Sequence, residues 1–290
     1  MSTLAYEIVD VFTDRPFAGN PLAVVFGAEA LAAEQLQAIA REFNLSETVF
    51  VLPATQGAAS YRARIFTPGR ELPFAGHPSV GAAATVVRRG QCAPGEVVQE
   101  CGAGLLPIEV TADGRAALTG GTPTVGPELD PAVLLGIVGL SAEDYAGPPP
   151  RQAGCGLECP YLSVRPDAVA RAVVDPAAAA RAGVPKVSVF AWNAADHTVH
   201  ARVFCPGVGV PEDPATGSAA LGLGVWAVAS GLLPAEGRSS YVVHQGTEIH
   251  RPSVLSCTVT AAGGVAVGAT VAGHVVPIAR GEIVVPPFVG

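Results

Sequence analysis

Two periodicities of apolar side chains alternate along the chain and predict a mixture of strands and helices. Residues 61–66 read Tyr-Arg-Ala-Arg-Ile-Phe, with an apolar side chain at every second position, which predicts a half-buried strand. Residues 28–44 instead carry Leu31, Leu36 and Ile39 at helical spacing, which predicts an amphipathic helix. The remaining patterns predict further strands at 5–13, 21–27, 47–54, 159–166, 186–193 and 197–206.

Two other predicted helices, at 77–90 and 213–231, are apolar on nearly every face and rich in Gly and Ala. A helix that is apolar all round is buried all round. Its small side chains allow the surrounding strands to approach the helix axis closely. The sequence therefore predicts a strand-rich sheet wrapped around a central helix, and it predicts this arrangement twice.

The order of predicted elements repeats between the two halves of the chain. Two strands and an apolar helix cover 47–90, and the same series covers 186–231. Such a repeat indicates an internal duplication, with chance similarity of two strand–helix passages as the alternative. We therefore predict an α+β fold of two similar lobes, each a barrel-like sheet around a central helix, related by a pseudo-twofold axis and separated by a cleft.

The predicted lobes cover residues 1–121 and 122–290, and the C-terminal strand could cross back to the first lobe. Residues 122–160 are dense in Pro and Gly, which predicts a linker interrupted by a short helix at 131–139. A cleft between two lobes is a common place for a ligand site.

Composition and charge narrow the class of protein. Of the 290 residues 49% are hydrophobic and 14% charged, which supports a large core. A net charge of −8, with no block of Lys and Arg, argues against nucleic acid as a partner. The chain shows no secretory signal and no membrane-spanning run, so we expect a cytoplasmic protein.

The potential metal ligands do not form a recognisable set. The six cysteines are expected to be free thiols in or near the core, as is usual in a reducing compartment. Cys155 and Cys159 form a C-x3-C pair, and His197 and His200 form an H-x2-H pair, but neither has further ligands at the usual spacing. We expect no metal site.

The beginnings of the two apolar helices are candidate anion sites, because the first backbone N–H groups of a helix are unpaired and lie at the positive end of its dipole. Gly76 and Gly217 allow close backbone approach, and His77 and Ser218 add side-chain hydrogen bonds. If both helices begin at one cleft, a small carboxylic acid would bind there. The alternatives are that His77 merely caps its helix and that Asp213 is an ordinary N-cap.

Glu47 is the candidate acid/base group. It stands where the amphipathic helix gives way to a strongly apolar strand, although a solvated charge at a strand end is the alternative. The sequence contains no phosphate-binding or dinucleotide-binding glycine loop and no G-x-S-x-G elbow. An enzyme built from these residues would transfer protons without a cofactor.

Several segments together resemble the phenazine-biosynthesis-like isomerases, which have the diaminopimelate-epimerase-like fold. The segments are VDVFTDRPFAGNPLAVVF, FNLSETVFV, IFTPGRELPFAGHPSVGAA and EDPATGSAALG. The resemblance implies that Glu47 is the general acid/base and that His77 and Asp213 complete the catalytic set. It also implies that the backbone at Gly76, Gly217 and Ser218 binds a substrate carboxylate, and that the protein is a homodimer.

The resemblance implies a class of reaction but leaves alternatives open. In the best-understood member of the family the reaction is a proton shift in dihydro-3-hydroxyanthranilate. Related epimerases and racemases use one cysteine from each lobe, whereas the helix beginnings here contain no Cys, and Cys205 lies on the incoming strand. We predict a cofactor-independent isomerase of a small carboxylic acid. The alternatives are an epimerase or racemase of such an acid and a non-catalytic small-acid-binding protein.

Overall fold

The structure is a computed structural model, and it describes residues 2–208 and 210–287. The described residues form six α-helices, which are α1 Ala33–Phe43, α2 Gly76–Arg88, α3 Pro131–Ile137, α4 Pro166–Val169, α5 Pro176–Ala182 and α6 Gly217–Ala229. The strands are β1 Thr3–Val11, β2 Asn20–Phe26, β3 Glu47–Leu52, β4 Tyr61–Phe66, β5 Glu71–Leu72, β6 Gly95–Cys101, β7 Gly104–Val110, β8 Arg115–Thr119, β9 Pro123–Glu128, β10 Arg151–Cys155, β11 Glu158–Ser163, β12 Val187–Asn193, β13 Thr198–Cys205, β14 Val210–Asp213, β15 Gly237–Gln245, β16 Ser253–Ala262 and β17 Val265–Val284.

The chain forms two compact units, and each is described by itself. The first comprises Met1–Leu118 together with Ala272–Gly290, and the second comprises Thr119–Val271. The long strand β17 is divided between them, so that its C-terminal part completes the sheet of the first unit by pairing with β1.

The first unit is a closed eight-stranded barrel around α2. Strand β1 pairs antiparallel with β2, β2 parallel with β3, β3 antiparallel with β4, and β4 parallel with β6. Strands β6, β7 and β8 continue antiparallel, and β17 joins β8 back to β1. Helix α2 is buried from Gly76 to Val86, and a Cβ on Gly81 would overlap Leu22 and Val11. The barrel therefore closes tightly only around a helix of small residues.

The second unit repeats this succession of pairings. Strand β10 pairs antiparallel with β11, β11 parallel with β12, β12 antiparallel with β13, and β13 parallel with β15, which pairs antiparallel with β16. Helix α6 is buried against these strands, and Tyr161 and Tyr241 donate hydrogen bonds to the carbonyls of Ala219 and Ala220. The predicted α+β fold, with a strand-rich sheet around a central helix in each half, is confirmed.

The prediction of a linker at 122–160 is wrong. Strands β9 and β10, helix α3 and the start of β11 occupy this segment, although the short helix falls where it was expected. The glycines serve tight packing here, because a Cβ on Gly154 would come within 2.6 Å of the Leu157 carbonyl oxygen and 2.8 Å of the Glu158 Cα. Glycine in a close hairpin resembles a linker in composition alone.

Helix α1 also differs from the sequence pattern in its extent. Helix α1 begins at Ala33 rather than at residue 28, because the backbone turns back first, with the Leu31 N–H bonded to the Ala28 carbonyl at 3.1 Å. Helix α5 begins at Pro176, a residue that suits the first turn of a helix, and the side chain of Asp175 caps it. No helix within the described ranges combines the length and the apolar character needed to cross a membrane.

Candidate active site

In the first unit, His77 lies in the first turn of α2 and meets two residues from neighbouring strands. Its imidazole is buried, with 5% of its surface exposed. The ring Nδ1 lies 3.3 Å from the side-chain nitrogen of Asn20 and 3.6 Å from Oε2 of Glu47. The structure thus brings together two of the predicted catalytic residues, Glu47 and His77, and adds Asn20.

The pairing of strands β2 and β3 explains why these three side chains meet. Asn20 is the first residue of β2 and Glu47 the first residue of β3, and these strands are parallel neighbours in which Leu22 pairs with Glu47. The two polar side chains therefore stand at the same end of the barrel, where α2 also begins. From Val49 to Leu52 the residues of β3 are apolar and buried, so the polar side chains are confined to the strand beginnings.

Burial keeps the imidazole of His77 neutral. Loss of hydration lowers the pKa of His77 to about 3, and a hydrogen bond with the Pro21 backbone opposes this only in part. Although His77 and Glu47 are close enough for an ion pair, no ion pair forms at neutral pH because the ring is uncharged. The amide nitrogen of Asn20 lies within hydrogen-bond distance of Nδ1, and the tautomer of the ring decides which of the two atoms donates.

The turn before Asn20 is held in an unusual backbone conformation. Phe17 has φ of 60°, and its side chain is 73% exposed. Its N–H donates to a carboxylate oxygen of the buried Asp10 at 2.8 Å. Gly19 has φ of 68°, and a Cβ there would overlap the Val11 carbonyl and the Thr13 side chain. The turn is therefore fixed rather than loose, and it delivers Asn20 to His77.

In the second unit, the residues before α6 form a hydrogen-bonded turn. Thr216 is the N-cap of α6, whereas Asp213 is the last residue of β14, so the ordinary N-cap alternative for Asp213 is wrong. The Thr216 hydroxyl donates to the Asp213 carboxylate oxygen Oδ2 at 2.6 Å. Asp213 is half-buried, and this hydrogen bond orients its carboxylate.

The buried side chain of Gln245, at the end of β15, holds this turn in place by hydrogen bonds. Its Oε1 accepts from the Thr216 N–H at 3.2 Å. Its Nε2 donates to the Asp213 carbonyl at 2.7 Å and to the Thr216 hydroxyl oxygen at 3.0 Å. Neither Gln245 nor Asn20 was predicted from the sequence, because an uncharged amide in a strand pattern carries no sign of its partners.

The first turn of α6 carries the predicted carboxylate-binding residues. Gly217 is buried and Ser218 is half-buried. The backbone N–H groups of such a first turn have no acceptor within the helix. In α2 the corresponding positions are Gly76 and His77, followed by Pro78, which has no N–H to satisfy. The binding of a carboxylate at either helix beginning stays a prediction.

Two of the other histidines have hydrogen-bond partners, and burial keeps two of the thiols protonated. The six cysteines are free, four of them buried. Burial raises the pKa of the Cys159 thiol to about 11 and that of Cys257 to about 12, so neither acts as a thiolate base at neutral pH. His197 contacts the Ser240 carbonyl, and His200 contacts Glu248 at 2.8 Å. No metal-binding group of three or more His, Cys, Asp or Glu side chains occurs in the part of the chain that the structure describes.

Comparison with known proteins places the chain in a family. Residues 9–281 match the family model for phenazine biosynthesis-like proteins. The chain is 35% identical to an uncharacterized isomerase of Mesorhizobium japonicum, with 98% of this chain and 99% of that protein covered. It is 33% identical to the trans-2,3-dihydro-3-hydroxyanthranilate isomerase of Pseudomonas aeruginosa, with 96% and 98% covered.

A solved structure agrees with this assignment. The Bacillus anthracis phenazine biosynthesis protein of the PhzF family superposes with a TM-score of 0.87 at 26% identity, covering 98% of this chain and 100% of that one. The relatives are named isomerases, as the sequence resemblance implied. The chain belongs to the phenazine biosynthesis-like protein family and is an isomerase.

Proposed function

We propose that the protein isomerises a small carboxylic acid by moving one proton, without a cofactor, and that Glu47 carries the proton. The observation behind this proposal is the group formed by Glu47, His77 and Asn20. A carboxylate beside a neutral imidazole can take a proton from one carbon and return it to another. The substrate then loses one C–H bond, gains another, and shifts a double bond, so that its formula is unchanged.

His77 and Asn20 have distinct roles in this proposal. The neutral ring of His77 does not form an ion pair with Glu47, so no such ion pair has to be broken before the carboxylate reaches the substrate. Asn20 contacts Nδ1 and is proposed to hold the ring of His77 in place beside Glu47.

The second unit supplies the other proposed contacts. We propose that Asp213 orients or protonates the substrate and that Ser218, with the backbone at Gly217, binds its carboxylate. The backbone at Gly76 would add a further donor. The support for this is the oriented Asp213 carboxylate and the N–H groups in the first turn of α6, which have no acceptor within the helix. That both helix beginnings serve one ligand stays a prediction, as does the homodimer.

The first substrate to test is trans-2,3-dihydro-3-hydroxyanthranilate, the compound named for the 33% identical Pseudomonas aeruginosa relative. An epimerase is the second candidate, because a solved structure from the same organism, titled a predicted epimerase, is 34% identical with a TM-score of 0.79. The absence of cysteine from residues 76–79 and 217–219 argues against a two-thiol mechanism for either reaction.

One NMR experiment separates the candidate functions. Purified protein is mixed with the dihydro acid, or with a chiral amino acid such as proline, and the product spectrum is recorded. A shifted double bond identifies the proton-shift isomerase, and inversion of a stereocentre without such a shift identifies the epimerase. Saturable binding of the acid with no chemical change would support a non-catalytic small-acid-binding protein and would refute both enzymatic proposals.

Glu47→Gln, which keeps shape but cannot carry a proton, should bind the acid and lose about 10²–10⁴-fold in turnover. Glu96→Gln is the matched control, because Glu96 is a solvent-exposed glutamate on β6 of the same unit. Its turnover should equal that of the wild type. Equal turnover in both variants would remove Glu47 from the mechanism.

A further inference from the structure

The turn that carries Asp213 is held by a buried amide. Gln245 has 1% of its surface exposed, and its one amide group makes three hydrogen bonds to Asp213 and Thr216. Burying an amide is costly unless its donors and acceptor are satisfied, so a leucine would suffice if this position served the core alone. The hydrogen bonds to Asp213 and Thr216 therefore explain why this buried position is a glutamine.

The orientation of the amide follows from its backbone partners. The Thr216 N–H can only donate and the Asp213 carbonyl can only accept, so the first faces Oε1 and the second faces Nε2. The same Nε2 donates to the Thr216 hydroxyl oxygen. A hydroxyl has one proton, and with a donor already at its oxygen, the Thr216 proton is directed at the Asp213 carboxylate.

The backbone after Gln245 is shaped to place it there. Gly246 has φ of +79°, and a Cβ on it would come within 2.6 Å of the Pro214 carbonyl oxygen. Pro214 follows Asp213 directly in the sequence. The end of β15 and the turn before α6 are therefore in close backbone contact, and only glycine fits between them.

From these contacts we infer that Gln245 is a positioning residue for the reaction: it orients the Thr216 hydroxyl, and through it the carboxylate of Asp213. This inference rests on the proposed function, in which Asp213 contacts the substrate. Gln245 touches Asp213 through the backbone and through Thr216, so it acts on the substrate only through them. A core residue would affect stability, whereas a positioning residue affects the chemical step.

A double-mutant cycle on kcat tests the inference. Gln245→Glu keeps an acceptor for the Thr216 N–H but replaces the donor by an oxygen, which draws the Thr216 hydroxyl away from Asp213. Thr216→Val removes the hydroxyl itself. Misplacement by about 1 Å can cost about 10²-fold, so each variant should lower kcat by that order with a smaller effect on KM. The double variant should lose no more than the worse single variant, because both break one chain of contacts.

Tyr241→Phe is the matched control. It removes another buried hydrogen bond to α6, at the Ala220 carbonyl, but leaves the Asp213 turn untouched. We expect reduced stability and a kcat within about 3-fold of the wild type, because the hydrogen bond that is lost lies outside the Asp213 turn. Gln245→Met, uncharged and similar in shape, replaces Gln245→Glu if the buried charge prevents folding.

Crystal structures of the same variants give a readout that needs no substrate. The Asp213 carboxylate should be displaced or disordered in the Gln245 and Thr216 variants and unchanged in Tyr241→Phe. An unmoved carboxylate, or losses in kcat that multiply in the double variant, would overturn the inference. If the wild type turns over no acid, the proposed function fails, while the carboxylate position still decides whether Gln245 positions Asp213.

Discussion

The buried, neutral His77 makes the stability of the protein depend on pH in a defined direction. Its pKa is about 3 in the folded protein, against an ordinary value of 6.5. The unfolded chain therefore gains a proton at His77 as the pH falls through 6.5, whereas the folded protein does not gain it until about pH 3. The stabilising effect of the neutral ring is fully present above pH 6.5 and is lost progressively below it.

The size of the effect follows from proton linkage. Each pH unit below 6.5 and above 3 changes the free energy of unfolding by about 1.4 kcal/mol. Between about pH 7 and pH 5, His77 alone should therefore remove about 2 kcal/mol. That is a large part of the roughly 5–15 kcal/mol by which a typical domain is stable.

Urea unfolding at about pH 7 and pH 5 measures this loss. His77→Gln cannot bind the extra proton, so its loss of stability between the two pH values should be about 2 kcal/mol smaller than that of the wild type. His244→Gln, at an exposed histidine on β15, should follow the wild type. Parallel pH dependences for wild type and His77→Gln would refute the reasoning, because they would show that the folded protein binds the proton at His77 as readily as the unfolded chain does.

Three further predictions concern packing, thiols and substrate binding. Gly81→Ala should lower the free energy of unfolding, measured by thermal unfolding, by about 1–3 kcal/mol because the added methyl group overlaps Leu22 and Val11. Gly268→Ala on β17, where the methyl group has open space, should leave the stability unchanged, and equal effects of the two substitutions would refute the close packing at Gly81. Cys159 and Cys257 should resist alkylation in the native protein at about pH 8, since their pKa values of about 11 and 12 leave almost no thiolate; mass spectrometry showing rapid labelling of either would contradict this. Ser218→Ala should raise KM about 10–100-fold with little change in kcat, because the loss of one hydrogen bond to a carboxylate weakens binding by about this factor. An unchanged KM would exclude Ser218 from substrate binding.

The apolar helices were the most predictable part of the fold. Their lack of a polar face, together with their small residues, required burial on all sides, and both are buried along most of their length. The segment at 122–160 was mispredicted because glycines that permit close packing look the same in sequence as glycines that permit flexibility. Gly154 belongs to the first kind, and only its neighbours in space show this.

The candidate site was predictable where residue chemistry is distinctive. Glu47 and His77 stood out as ionisable groups beside apolar runs, and the structure places them 3.6 Å apart. Asn20 and Gln245 were missed because an amide can satisfy many environments, and its role depends on partners far away in sequence. Gln245 is 29 residues from Thr216, so no local pattern links them.

The central claim, that Glu47 carries the proton, is tested most directly by following the label of a substrate deuterated at the carbon that loses its hydrogen. NMR records the departure of deuterium from that carbon, whether it reappears at the new carbon or exchanges with water. In the wild type the label should leave that carbon during turnover. In Glu47→Gln, with the acid still bound, its departure should slow by about 10²–10⁴-fold. Departure within a few-fold of the wild-type rate would contradict the account and assign the proton to another group.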